Sequence, residues 1–273
     1  MRFFLCAVLV IATLLAAPPS AAQGIAVNSV RFSPDGTQVV TAASDRTLRV
    51  YDVASGALVQ TLPGHDDYVV SVAWLADGQG LASASYDGTV KLWDLATGAS
   101  IRTLRGHEGT LFYVDASPDG TQLASAATNG ELIVWNLTAE AEAAGAIAWR
   151  TIAHDEVTAA ARFSPDGTRL VTAGRGTLLK VWDAATGDLL DERTPPGLSL
   201  VTAGFSPDGG TVAGAGSAGT VHVYGGDVEV VFDADGFVNA VAFARGGTHV
   251  AAACGDGTLR LWDLATGEPA WQA

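Results

Sequence analysis

Small and apolar residues recur along the chain in short runs of alternating character, each closed by Gly, Pro or Asp. Residues 68–104 carry the pattern most completely: Val69-Val70-Ser71-Val72-Ala73-Trp74, a turn, Leu81-Ala82-Ser83-Ala84-Ser85, a turn at Asp87-Gly88, then Val90-Lys91-Leu92-Trp93. A fourth run, Ile101-Arg102-Thr103-Leu104, follows the Thr97-Gly98 turn. Alternation with β-branched residues argues strand rather than helix, and the closing residues supply positive φ or a preset turn. Four such runs predict one four-stranded antiparallel sheet.

The pattern then repeats. Ser33-Pro34-Asp35-Gly36, Ser117-Pro118-Asp119-Gly120, Ser164-Pro165-Asp166-Gly167 and Ser206-Pro207-Asp208-Gly209 have weaker copies at Leu75-Ala76-Asp77-Gly78 and Ala244-Arg245-Gly246-Gly247. Downstream of each stands an aromatic, usually before Asp or Asn: Tyr51-Asp52, Trp93-Asp94, Trp135-Asn136, Trp182-Asp183, Tyr224-Gly225 and Trp262-Asp263. The aromatics lie 42, 42, 47, 42 and 38 residues apart, close to the roughly 40–45 residues of a four-stranded propeller blade. The long spacing contains an Ala- and Glu-rich insertion, Thr138 to Gly145, read as a surface loop or helical turn on the face opposite the middle-strand turns. A lone sheet of this kind would expose its apolar face, so the units must stack around an axis. The expected fold is all-β, a six-bladed β-propeller of four-stranded antiparallel blades at about 25–62, 68–104, 110–152, 157–193, 199–232 and 237–272.

Gly64-His65 and Gly106-His107, the Asp-Gly turns at Asp87-Gly88 and Asp256-Gly257, and the Trp-Asp endings share one register. With them, residues 25–273 resemble the WD40-repeat β-propeller family, here in an exported, bacterial-type form. The resemblance implies a buried tetrad of His, Ser or Thr, Asp and Trp that pins the strands of each blade. Unit 2 has all four, as His65, Ser83, Asp87 and Trp93. Unit 3 has His107, Ser125 and Trp135 with Asn129 in the Asp place, and unit 4 has His154, Thr172 and Trp182 with Gly176 there. Unit 5, with Pro196, Gly214, Ala218 and Tyr224, is expected to have lost the polar network and to be the least stable blade. Unit 6 has Ala234 and Ala252 but keeps Asp256 and Trp262, and unit 1 has no His. No strand is left over to clasp the two ends, so closure is expected from packing between blades 6 and 1. The alternative is an open arc that pairs with another chain, since bare sheet edges invite pairing.

The N-terminus changes the picture from fold to place. Met1-Arg2 and the apolar run Phe3 to Ala17 stop at Pro18-Pro19, short of the roughly 20 residues a membrane span needs. Residues 1–22 therefore read as a cleavable signal peptide cut before Gln23, which predicts a periplasmic or secreted protein without membrane insertion. Cys6 leaves with the peptide, and Cys254, alone in the mature chain, is expected buried in a strand.

Charge and chemistry narrow the function. The formal charge of −14 argues against nucleic acid and anionic membranes, which need a basic face. His65, His107 and His154 recur at one blade position, the spacing of a scaffold contact; His222 and His249 have no second ligand at metal-binding spacing. Nucleophile-elbow, phosphate-loop and paired-Cys motifs are absent, and Asp233-Ala234-Asp235-Gly236 reads as a turn rather than a calcium loop. No catalytic residue, metal or cofactor is expected. The rival reading is a propeller enzyme or redox accessory with a cofactor in the central channel, because Asp263 to Trp271 is similar to the tryptophan-docking repeat of quinone-dependent dehydrogenases.

The family resemblance implies that partners dock on the face carrying the loops between blades and the middle-strand turns. Register places Tyr68, Tyr86, Thr110, Phe112, Thr128, Arg175, Phe237 and Asn239 there, with Phe112 and Phe237 equally readable as core. Exposed aromatics and Arg dominate binding energy once buried. The expected function is a non-catalytic interaction scaffold for a protein or peptide, as a monomeric ring, or as a dimer if the ring is open.

Overall fold

A computed structural model describes residues 25–138, 146–175, 178–194, 199–226 and 228–272. The expected leader with Cys6, most of the 138–145 insertion, Gly176 and Pro196 lie outside the described residues. Six antiparallel four-stranded sheets follow one another in strict chain order. Blade 1 comprises β1 (Val27–Phe32), β2 (Gln38–Ala43), β3 (Thr47–Asp52) and β4 (Leu58–Pro63); blade 2 has β5 (Val69–Trp74), β6 (Gly80–Ser85), β7 (Val90–Asp94) and β8 (Ala99–Leu104). Blade 3 comprises β9 (Leu111–Ala116), β10 (Gln122–Ala127), β11 (Glu131–Asn136) and β12 (Ile147–Ile152). Blade 4 has β13 (Thr158–Phe163), β14 (Arg169–Gly174), β15 (Leu179–Asp183) and β16 (Leu189–Arg193). Blade 5 is β17 (Leu200–Phe205), β18 (Val212–Gly216), β19 (Thr220–Gly225) and β20 (Val228–Asp233), and blade 6 is β21 (Val238–Phe243), β22 (His249–Cys254), β23 (Leu259–Asp263) and β24 (Pro269–Gln272). The chain is thus a six-bladed β-propeller. Among the described residues no helix is long and apolar enough to cross a membrane.

The recurring tetrapeptides make the first hairpin of each blade. In Ser33-Pro34-Asp35-Gly36 the Ser33 hydroxyl donates to Asp35 Oδ1 at 2.6 Å, the Gly36 amide donates to Ser33 O, and Gly36 sits at φ 73°. Ser117, Ser164 and Ser206 repeat the 2.6 Å bond to Asp119, Asp166 and Asp208. These bonds hold the four carboxyls below the usual range, Asp166 at about 2. The Asp after the aromatic in blades 1, 2, 4 and 6 does similar work at the third turn, as where Asp94 Oδ1 accepts from the Thr97 amide and hydroxyl. These turn aspartates are therefore committed to local backbone.

Each inner strand carries a bulge at its second residue. In blade 3, Leu111 pairs with Ala127 and Tyr113 with Ala126, leaving Phe112 out of the ladder; Asn28, Val70, Ala159, Val201 and Asn239 are skipped in the same way. A bulge re-aims the side chain it displaces. This resolves the two readings of Phe112, which is exposed rather than core.

Five apolar cores lie between successive blades. Val40, Ala42, Leu48 and Val50 of blade 1 meet Val69, Val72, Trp74, Leu81 and Trp93 of blade 2, and equivalent sets join blades 2 to 3, 3 to 4, 4 to 5 and 5 to 6. No sixth core joins blade 6 to blade 1 among the described residues. Phe32 and Val27 on the blade 1 side are 41% and 50% exposed. The expected closure by packing of blades 6 and 1 is not met, because each end presents its inter-blade face without a mate across the seam.

Candidate partner-binding face and axial cavity

The polar network of blade 2 forms a single chain of hydrogen bonds. His65 Nδ1 lies 2.7 Å from Asp87 Oδ2, and His65 Nε2 lies 2.7 Å from Ser83 Oγ, which accepts the Trp93 indole N–H at 2.8 Å. Burial alone would raise the Asp87 carboxyl, but bonds from His65, Thr89 and the Asp66 amide outweigh it and hold it well below the carboxylate range. With Asp87 ionised, His65 Nδ1–H donates to it, and Nε2 accepts the Ser83 proton. Serine, histidine and aspartate in this order are also the parts of a nucleophilic triad. Here Ser83 is fully buried and its oxygen is already occupied by Trp93, so the set pins strands and meets no substrate.

Blade 3 builds the network with a residue the sequence reading missed. Asn129 does not reach His107; its Oδ1 accepts the Glu131 amide, and Glu131 Oε2 lies 2.8 Å from His107 Nδ1. His107 Nε2 meets Ser125 Oγ at 2.6 Å, and Trp135 donates to the same oxygen. The longer Glu side chain at the place of Thr89 thus supplies the carboxylate that Asp87 supplies in blade 2. Burial lowers the His107 imidazolium pKa against the pull of Glu131.

In blade 4, among the described residues, His154 Nε2 and Trp182 Nε1 meet Thr172 Oγ1 at 3.0 and 2.9 Å. Burial and the Lys180 charge lower the His154 pKa to about 4. In blade 5 a different polar contact is present: buried His222 lies 2.5 Å from Glu229 Oε1 and 2.9 Å from Thr220 Oγ1. The pair uses β19 and β20 instead of the tetrad positions, so register alone could not show it. In blade 6, Asp256 accepts from Thr258, and Cys254 is buried, with its thiol pKa raised by burial. Asp235, at φ 47°, donates its amide to Asp233 Oδ1 in a turn. Among the described residues no three His, Cys, Asp or Glu side chains converge as a metal-ligand set.

The loops between blades and the middle-strand turns bring the expected face together in blades 2 and 3. Tyr68 and Tyr86 have ring centroids 6.1 Å apart, and Tyr86 and Phe112 6.5 Å apart, with Tyr68 48% and Phe112 37% exposed. Thr110 and Thr128 share a 3.0 Å hydroxyl bond beside them. A groove of about 320 Å³ adjoins this cluster, lined by Tyr86, Arg105, Glu108 and Thr110. Arg175, Phe237 and Asn239 are exposed in blades 4 and 6, outside the three-ring cluster.

The axis holds a second group that the sequence reading also missed. Arg31 Nη2 and Arg162 Nε each donate to the Tyr113 phenol oxygen at 2.6 Å, and Asp115 Oδ2 accepts the Phe163 amide at 3.0 Å. Together they line a cavity of about 250 Å³ with Gly204 and Ala242. Burial raises the Asp115 carboxyl against the Phe163 amide and the two guanidinium charges. The signal lay in alignment of the inner strands: their fifth residues are Arg31, Ala73, Asp115, Arg162, Gly204 and Ala242.

The family model described as WD domain, G-beta repeat, matches residues 19–52, 56–94, 98–136, 148–183 and 227–263. The matches end at Asp52, Asp94, Asn136, Asp183 and Asp263, whereas the unit ending in Tyr224-Gly225 is unmatched. Over 48 residues the chain is 50% identical to the intraflagellar transport protein 122 homolog of Homo sapiens, and 48% identical to those of Danio rerio and Mus musculus. That stretch is 18% of this chain and 4% of each relative, so the chain matches only a small part of their length.

Proposed function

The chain belongs to the WD40-repeat β-propeller family, matched over more than half its length, and from that premise we propose a non-catalytic scaffold that binds a protein or peptide through Tyr68, Tyr86 and Phe112. The observation that carries this reading is the three-ring cluster itself. Aromatic side chains half exposed at a loop face, next to a groove, are the residues that release most energy when a partner covers them. Thr110, Arg105 and Glu108 give that groove a polar rim, with Thr128 bonded to Thr110 behind it. The solvent-closed Ser83-His65-Asp87 set supports a structural use of the polar residues. Arg175, Phe237 and Asn239 extend the same face toward a larger partner.

The leader-like residues 1–22 support action in the periplasm or outside the cell, and the acidic surface supports a partner other than nucleic acid. The transport role named for the relatives belongs to proteins this chain matches over 4% of their length, and it is not carried over.

The test is affinity purification of the whole chain beside a Tyr68→Ala/Tyr86→Ala variant that melts at the same temperature. A stoichiometric protein held by the wild type and lost by the variant supports the face. Equal retention by both, or retention by neither, overturns it.

A further inference from the structure

We propose that the axial cavity binds an oxyanion, a carboxylate or a phosphate, through the guanidiniums of Arg31 and Arg162 and the hydroxyl of Tyr113. The site is independent of the aromatic face, since it is built from inner strands rather than loops.

The geometry begins with the fifth residue of each inner strand. Gly204 and Ala242 are small there and line the cavity, and their size leaves the space into which the two arginines extend. A Cβ on Gly204 would lie 3.3 Å from Arg162 Nη1, tighter than ordinary van der Waals contact, so a side chain at that position would press on the guanidinium. Arg31 comes from blade 1 and Arg162 from blade 4, three blades apart, yet both reach one phenol oxygen in blade 3. Their Cζ atoms each stand 5.7 Å from the Tyr113 ring centroid, so the phenol gathers both cations at its hydroxyl end.

The charge arrangement selects the ligand. Two guanidiniums that converge on a neutral oxygen repel each other. Asp115 is the one carboxylate among the described residues that line the cavity, and it lies within reach of both charges. Among the described residues Arg31 makes no ion pair; its guanidinium donates to Val30 O and Tyr113 Oη. The Tyr113 oxygen accepts both arginine N–H groups, which leaves its own proton free to donate into the cavity. Planar guanidinium forks bind carboxylate and phosphate through paired N–H donors, which a point charge such as lysine does not offer. A cavity of about 250 Å³ admits one such group of a few heavy atoms, at the lower edge of the roughly 300–1,000 Å³ of small-molecule sites. The ligand is therefore a compact anion, either a free ion or the acidic end of a longer molecule.

The experiment is isothermal titration of the whole chain with inorganic phosphate and, separately, with acetate, each at constant ionic strength against chloride so that general screening cancels. One saturable site is expected, with phosphate the tighter if the cavity favours a dianion and acetate the tighter if it favours a planar one. Arg31→Gln and Arg162→Gln should each weaken binding by roughly tenfold or more, as loss of a charged hydrogen bond does. Tyr113→Phe should weaken it less, and Arg245→Gln on an exposed turn should leave it unchanged. The wild-type titration stands even where a variant misfolds, and Arg162→Lys keeps the charge while removing the fork. No saturable binding of either anion to wild type overturns the proposal, as does undiminished binding by folded Arg31→Gln and Arg162→Gln.

Discussion

The interface between blades 2 and 3 and the seam between blades 6 and 1 are made of equivalent positions with opposite fates. Ala82, Ala84, Val90 and Leu92 face blade 3 and are buried against Leu111, Val114, Leu123 and Trp135. Their counterparts in blade 6, Ala251, Ala253, Leu259 and Leu261, are only partly buried. On the other side of the seam, Val27 and Phe32 are exposed while Val30, Val39 and Tyr51 are partly buried. The residue types are much the same, so the difference comes from whether a neighbouring blade arrives. Inter-blade cores are the main source of stability, and the seam contributes little beyond the two blades that border it.

The sharpest break of that comparison is Trp93→Ala against Tyr51→Ala, the same register in blade 2 and at the seam. Trp93 is 1% exposed and bonded to Ser83, so its loss should cost about 3–5 kcal/mol in urea unfolding, and Tyr51→Ala should cost less than half as much. Equal costs would mean that the seam is packed in solution.

Lower pH should weaken the packed blades next. His154 has its pKa lowered to about 4, against about 6.5 for an unfolded histidine. Stability from this group is fully present above pH 6.5 and is lost as pH falls toward 4, by up to about 3 kcal/mol. His107, lowered by burial, shifts stability in the same direction. Thermal melts between pH 7.5 and 4 check this, and His154→Gln should flatten the profile.

Glu131→Gln should cost about 1–3 kcal/mol, because the buried His107 Nδ1–H loses its carboxylate. Asn129→Ala, at the place the register assigns to the acid, should cost less, since Asn129 Oδ1 accepts the Glu131 amide and does not reach His107. The reverse order in denaturant melts would return the role to Asn129. The smallest effect is expected at Trp271, half exposed on β24 at the seam. Trp271→Ala should change stability by under about 0.5 kcal/mol, and a larger loss would show that blade 1 covers it.

Much of the fold was legible because each blade is written locally. The Ser-Pro-Asp-Gly hairpins close within a few residues, and the Trp-Asp endings bond their own turns, as Ser33 with Asp35 and Asp94 with Thr97 show. The tetrad of blade 2 was legible for a related reason, since all four members lie in one blade or the loop just before it. Glu131 escaped because a longer side chain two positions away can deliver the same carboxylate. His222 with Glu229 escaped because their pairing crosses two strands at places the repeat does not mark. Phe112 was ambiguous in the alternation because a bulge breaks the period at that residue.

The sequence by itself determined what each blade is: four strands, their turns, and which side chains face a neighbour. Period-two patterning and tight turns depend on contacts among residues near in the chain, and those survive in any arrangement of blades. Tertiary structure alone decided which of the six inter-blade faces are covered and which inner-strand residues meet at the axis. Arg31, Tyr113 and Arg162 are separated by dozens of residues in the chain, and only the angle between successive blades carries two guanidiniums to one phenol oxygen.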